Sequence, residues 1–155
     1  MERRQVRAWG MVGVQGLLFL AVAVTALLDA EPHWWSSLPV SIALVLIGAA
    51  GVLGSGRNLG ASLTPSPVPN RAGLAASGLY RWVRHPMYSA LILICLGVAV
   101  GSGSAWCYAT IVVLSVFFDV KGRTEERYLV EAYDGYAEYA ARTGKFIPGL
   151  GRRRG

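Results

Sequence analysis

A chain of 155 residues that is 54% hydrophobic and only 15% charged is poorly suited to a soluble fold, because soluble domains carry roughly 25% charge. Its uncharged stretches are separated by basic connections, so the formal net charge of +6 is read as loop orientation and contact with anionic lipid heads, not as nucleic-acid binding. The two cysteines, Cys95 and Cys107, lack the spacing of a zinc site or a disulfide framework, so no metal is expected.

The first predicted span covers Ala8–Leu28 and follows Arg3, Arg4 and Arg7. Its apolar run exceeds the roughly 7–15 residues of a signal-peptide core, and Leu28-Asp29-Ala30 is a poor cleavage site, so it is read as a retained helix. Residues Asp29–Ser37 form a polar turn whose Trp34 and Trp35 suit a membrane interface, and its His33 is read as a lone exposed histidine. A second span covers Leu38–Gly54. The connection Ser55–Arg84 is broken by Pro65, Pro67, Pro69 and several glycines. A third span, Pro86–Val100, and a fourth, Ala105–Val120, are joined by Gly101–Ser104 as an antiparallel hairpin. Both are short against the roughly 17 residues a crossing needs, which bilayer thinning or burial of their ends would reconcile. From Lys121 to Arg142 a charged, amphipathic helix is expected, with Leu129, Ala132, Tyr133, Tyr136 and Ala140 on one face and Gly144 and Pro148 beyond its end.

The fold class is therefore an all-α integral membrane protein of about four transmembrane helices. It has a short C-terminal hairpin and a cytoplasmic C-terminal amphipathic helix. It reads as a single membrane domain over 1–155, with two N-terminal spans in 1–56 and a second part in 57–150. All Lys and Arg fall on one side of such a chain, while the opposite turns carry Asp29 and Glu31. The positive-inside rule places both termini in the cytoplasm. The preponderance of Arg over Lys points to a prokaryotic cell membrane.

Polar chemistry is concentrated in two clusters, Gly78–Tyr88 and Lys121–Tyr139, which the hairpin returns to one membrane surface. Singly, these residues have plain roles. Arg81 and Arg84 can snorkel, Tyr80, Trp82 and Tyr88 can sit at the interface, and Pro86 opens a helix. Glu125 and Glu126 can oppose a helix dipole or join Lys121, Arg123 and Arg127 in ion pairs. Asp119, at the very end of an apolar run, is expected to face protein or water. Together they surround a membrane-facing pocket that could hold a zwitterionic cofactor while an apolar substrate enters from the bilayer.

The run Ser77-Gly78-Leu79-Tyr80-Arg81-Trp82-Val83-Arg84-His85-Pro86-Met87-Tyr88 resembles the S-G-x-Y-x-x-x-R-H-P-x-Y signature of the isoprenylcysteine carboxyl methyltransferase family. These are membrane enzymes that use S-adenosylmethionine, and phospholipid N-methyltransferases are relatives. Glu125-Glu126-Arg127-Tyr128-Leu129, then Gly135-Tyr136-x-x-Tyr139, then Phe146-Ile147-Pro148 are similar to later elements of that family in order and spacing. The likeness covers roughly residues 57–150. It implies S-adenosylmethionine as cofactor, held by Ala72, Gly73, Leu74, Ala75, Tyr80, His85, Pro86, Met87, Tyr88 and Glu125. It also implies a lipophilic or prenylated acceptor, with Arg84, Lys121 and Arg123 as candidate catalytic residues. Lys121 stands where the family carries Arg, a point charge in place of a planar fork. Tyrosine faces would attract the sulfonium by roughly 0.5–2 kcal/mol, and His85 or Arg84 would meet the cofactor carboxylate. Two alternatives are an NADPH-dependent reductase of the sterol-reductase type, whose motif reads R-H-x-N-Y, and a non-catalytic scaffold. Pro86 and the missing Asn favour the methyltransferase.

Overall fold

An uncharged run such as Ala8–Leu28 can pair its backbone polar groups within one segment only as a helix. A computed structural model describes residues 2–28, 31–64, 66, 68 and 73–153, and its regular structure among them is helical. The helices are α1 (Glu2–Leu27), α2 (Leu38–Leu59), α3 (Pro86–Ser102), α4 (Ala105–Ala132) and α5 (Tyr136–Arg142), with short 3-10 turns at Gly60–Ser62 and Gly78–Arg81. Helices α1, α2 and α4 are long and apolar enough to cross a membrane, whereas α3 is apolar but has 17 residues.

Helices α2 and α3 approach closely through small residues, the usual device where lipid gives no hydrophobic drive to helix pairing. A Cβ added at Gly48 would lie 2.6 Å from Ile94 Cγ1 and 2.8 Å from the Ala90 carbonyl, and one at Gly97 would lie 2.7 Å from Val45. The Ser41 hydroxyl donates to the Gly97 carbonyl at 2.7 Å across the same seam. Helix α1 packs on α4 and α3, where Val22, Cys95, Ala99, Cys107, Ile111, Leu114 and Phe118 form the buried core. The two cysteines are free and buried there. At the opposite end, the Trp34 amide donates to the Gly103 carbonyl and the Ala105 amide to that of Pro32, docking the two turns together.

Helix α1 begins at Glu2, ahead of the expected Ala8, and α3 runs on to Ser102, taking in the first half of the expected Gly101–Ser104 turn. Two C-terminal boundaries differ further. Helix α2 continues past Gly54 to Leu59, because Ser55 is fully buried and Gly54 lies against Leu79, so packing outweighs poor glycine propensity. Helix α4 does not stop at Val120 but runs on through Ala132, 28 residues or about 42 Å. The amphipathic helix expected over Lys121–Arg142 is thus two pieces. Its first half extends α4 beyond the apolar stretch. The chain then turns at Asp134-Gly135, where Gly135 has φ 85°, and α5 folds back. That reversal buries Tyr136 and lets the Tyr139 hydroxyl donate to the Tyr80 carbonyl.

Candidate functional site

The site begins at Gly78, whose φ is 57° and whose position against Asn58 leaves no room for a side chain; a Cβ there would lie 2.1 Å from Asn58 Nδ2. This glycine opens the 3-10 turn that buries Tyr80. Residues 82–85 then run beside the C-terminal tail. The Arg84 amide donates to the Gly144 carbonyl at 2.8 Å, the His85 amide to that of Lys145, and the Gly144 amide to that of Trp82. Pro86 starts α3 directly afterwards.

Arg84 is 5% exposed and ties four elements together. Its Nε donates to Glu126 Oε1 at 2.9 Å, Nη1 to the carbonyls of Ala140 and Thr143, and Nη2 to that of Gly151. Glu126 Oε1 also lies 3.0 Å from His85 Nε2. His85 Nδ1 is 3.5 Å from Glu125 Oε2, and its ring stacks on Tyr88 at 5.3 Å. The Tyr88 hydroxyl donates to Glu125 Oε2 at 3.0 Å. Gly122 permits this crowding, since a Cβ there would stand 3.2 Å from His85 Nε2.

The two adjacent acids, both on the charged extension of α4, behave oppositely. Burial alone would raise Glu126, but the hydrogen bonds and charges of His85 and Arg84 outweigh it and hold the carboxyl at about 2. Burial wins at Glu125 and pushes it above the usual carboxylate range, against the pull of His85, Tyr88 and Lys121. Burial likewise raises the Tyr80 and Tyr136 hydroxyls, and takes Tyr139 up to about 12 against the opposing charge of Arg84. These phenols are therefore neutral donors at physiological pH.

The cluster opens into a cavity of about 110 Å³ between the end of α2, residues 73–75, the 80–88 segment, the extension of α4 and α5. Of the residues expected from sequence, Gly73, Leu74, Ala75, Tyr80, Arg84, His85, Met87, Tyr88 and Glu125 line it. Pro86 is buried at the first turn of α3, and Ala72 lies outside the described residues. Lys121 and Arg123 are elsewhere. Lys121 is buried toward α1, where its ammonium donates to Gln15 Oε1 and sits 5.5 Å from the Tyr88 ring centre. Arg123 is exposed and paired with Asp119 at 2.7 Å.

Sequence reasoning left out Tyr133, Tyr136, Tyr139 and Leu129, which complete the cavity wall. Tyr133 accepts a hydrogen bond from the Gly73 amide, whereas the buried Tyr136 hydroxyl has no partner among the described residues. The Gly135-Tyr136-x-x-Tyr139 element was their available signal.

The sequence profile of phospholipid methyltransferases matches residues 37–135, well over half of the chain. The protein belongs to the phospholipid methyltransferase family. That family falls within the isoprenylcysteine carboxyl methyltransferase-like group of membrane methyltransferases. The family match runs from the start of α2 to Gly135, so it takes in every wall of the cavity except α5. A family member with three helices able to cross a bilayer is an integral membrane protein. A relative, the cobalt-zinc-cadmium resistance protein CzcN of Cupriavidus metallidurans, is 34% identical over 123 residues, which is 78% of this chain and 56% of that protein. The chain thus spans little more than half the length of this curated relative. No solved structure matches the chain.

Proposed function

We propose that this phospholipid methyltransferase family member moves a methyl group from S-adenosylmethionine to a lipophilic acceptor at the cytoplasmic face of a prokaryotic cell membrane. In this reading α3 is a fourth span, short because its ends are covered by protein, and both termini are cytoplasmic. The observation that carries the reading is a single cavity lined by Tyr80, His85, Tyr88 and Glu125, which come from two motifs some 40 residues apart in sequence.

The donor set of that cavity fits the cofactor. Tyr136 lines the cavity and its buried hydroxyl has no partner among the described residues, so a bound polar group would satisfy it. Glu125 is the acid for an ammonium or ribose hydroxyls, and the tyrosine faces suit a cation. When bound, S-adenosylmethionine supplies an electrophilic methyl carbon on a cationic sulfur. The protein's part is alignment and exclusion of water. Leu59, Leu63 and Leu129 supply the apolar wall. Arg84 and Glu126 act as positioning residues, since their mutual hydrogen bond and their bonds to His85 and the tail hold the cavity wall in place. An acceptor carboxylate of the isoprenylcysteine kind needs no base, being ionised near neutrality. For an amine or phenol acceptor, Glu125 with its raised affinity for a proton is the group placed to receive one.

The test is transfer of radiolabelled methyl from S-adenosylmethionine into organic-extractable product by membranes containing the protein. Label that appears with the wild type and is lost in Glu125→Gln is expected. Absence of label across prenylated, fatty and phospholipid acceptors, together with oxidation of NADPH, would overturn the reading in favour of a reductase.

A further inference from the structure

A second concavity, of about 490 Å³, lies on the far side of the Arg84–Glu126 pair from the cavity described above. We propose that it binds the phosphate of an anionic membrane phospholipid, independently of the methyl-transfer reading.

Charge is the first argument. Six cationic side chains, from Arg84, Arg123, Arg127, Lys145, Arg152 and Arg153, line the basin with only two carboxylates, Asp119 and Glu126. Both acids are already engaged. Glu126 serves Arg84 and His85, and Asp119 serves Lys145 and Arg123. Arg127, Arg152 and Arg153 make no ion pair among the described residues, so three positive charges in the basin stand unpaired. Like charges gathered in a concavity repel, and their field focuses on an incoming anion. Arginine is also the side chain whose planar fork matches phosphate oxygens.

The basin is braced by hydrogen bonds that end on backbone carbonyls. Arg84 Nη2 donates to the Gly151 carbonyl, the Arg153 amide to that of Ala140, and Lys145 Nζ to the Asp119 carbonyl. These bonds fix the tail against the Arg84 segment, α5 and α4.

Position distinguishes a lipid from a free anion. Val112, Val116, Val120, Arg123 and Arg127 recur at four- and three-residue steps, so they share one face of α4. The three valines are 50–64% exposed, and the row passes directly from apolar to basic at the rim of the basin. On the tail beside it, Ile147 and Leu150 are 57% and 61% exposed. Acyl chains would lie along the valines with the phosphate among the arginines.

Detergent-purified protein, titrated with phosphatidylglycerol and with phosphatidylcholine and read by native mass spectrometry, tests this. One phosphatidylglycerol should be retained at least on the order of tenfold better than phosphatidylcholine, and less so as salt rises. Arg127→Gln/Arg152→Gln should lower that retention by on the order of tenfold. Removal of two charges elsewhere, in Arg3→Gln/Arg7→Gln, should leave it unchanged. Equal retention of the two lipids, an equal loss in the N-terminal variant, or displacement by millimolar inorganic phosphate would overturn the proposal. The wild-type lipid comparison decides the matter by itself if the Arg127/Arg152 variant does not fold.

Discussion

Replacing Arg84 by lysine keeps the charge and removes the fork. In the wild type the guanidinium reaches Glu126 and the carbonyls of Ala140, Thr143 and Gly151, which lie on α4, α5 and the tail. A lysine ammonium cannot span these acceptors together, so at least two carbonyls lose their partner. At roughly 1–2 kcal/mol for each, undocking of residues 143–151 becomes easier by about 2–4 kcal/mol, or about 30- to 900-fold in the docking equilibrium. The Gly144, Arg84 and His85 amides, which donate across the seam to the Trp82, Gly144 and Lys145 carbonyls, report that equilibrium. Hydrogen exchange read by mass spectrometry should show their protection falling by this factor, while amides in the middle of α3 stay unchanged. Equal protection of 143–151 in Arg84→Lys and wild type would refute the assignment of Arg84 as the clamp of the tail.

Tyr136→Phe removes a buried hydroxyl that has no partner among the described residues. Thermal stability of the ligand-free protein should hold or rise by up to about 1 kcal/mol, while affinity for S-adenosylhomocysteine falls severalfold; a lowered melting temperature would mean the hydroxyl is already satisfied. Glu126 is depressed to about 2 in the folded protein from its ordinary 4.5. Its contribution is therefore complete above 4.5 and lost as pH falls from there through 2. Glu125 is raised and works in the opposite sense, so the informative quantity is the melting-temperature difference between wild type and Glu126→Gln. That difference should shrink across this window, and a difference constant with pH would contradict the pairing. Gly78→Ala meets both a positive φ and the Asn58 side chain. It should destabilise the protein by about 1–3 kcal/mol in a denaturation series, and a neutral result would argue against the turn as drawn.

The helices were legible because uncharged runs and basic punctuation leave few other choices, and the Gly-Ser turn marked the α3–α4 hairpin. The end of α4 was not. A change from apolar to charged residues after Val120 marks where lipid could end, but helical hydrogen bonding is indifferent to that change. The true stop was the turn dipeptide Asp134-Gly135. Both motifs of the cavity were visible as side chains, whereas the partners of Arg84 are mostly backbone carbonyls and leave no mark in a sequence. The separation of Arg123 from Glu125 was readable in principle. At about 100° per residue, two positions along a helix face nearly opposite ways. Lys121 lies on the same side as Glu125 but was drawn toward α1 by Gln15, a polar residue in an apolar run that carried no motif.

Calorimetric titration of detergent-purified protein with S-adenosylhomocysteine, and separately with NADPH, tests the central claim most directly. Saturable binding of S-adenosylhomocysteine alone, weakened at least tenfold in Glu125→Gln, is the expected result. Binding of NADPH alone, or S-adenosylhomocysteine binding that ignores Glu125, would contradict the assignment of this cavity as a methyl-donor site.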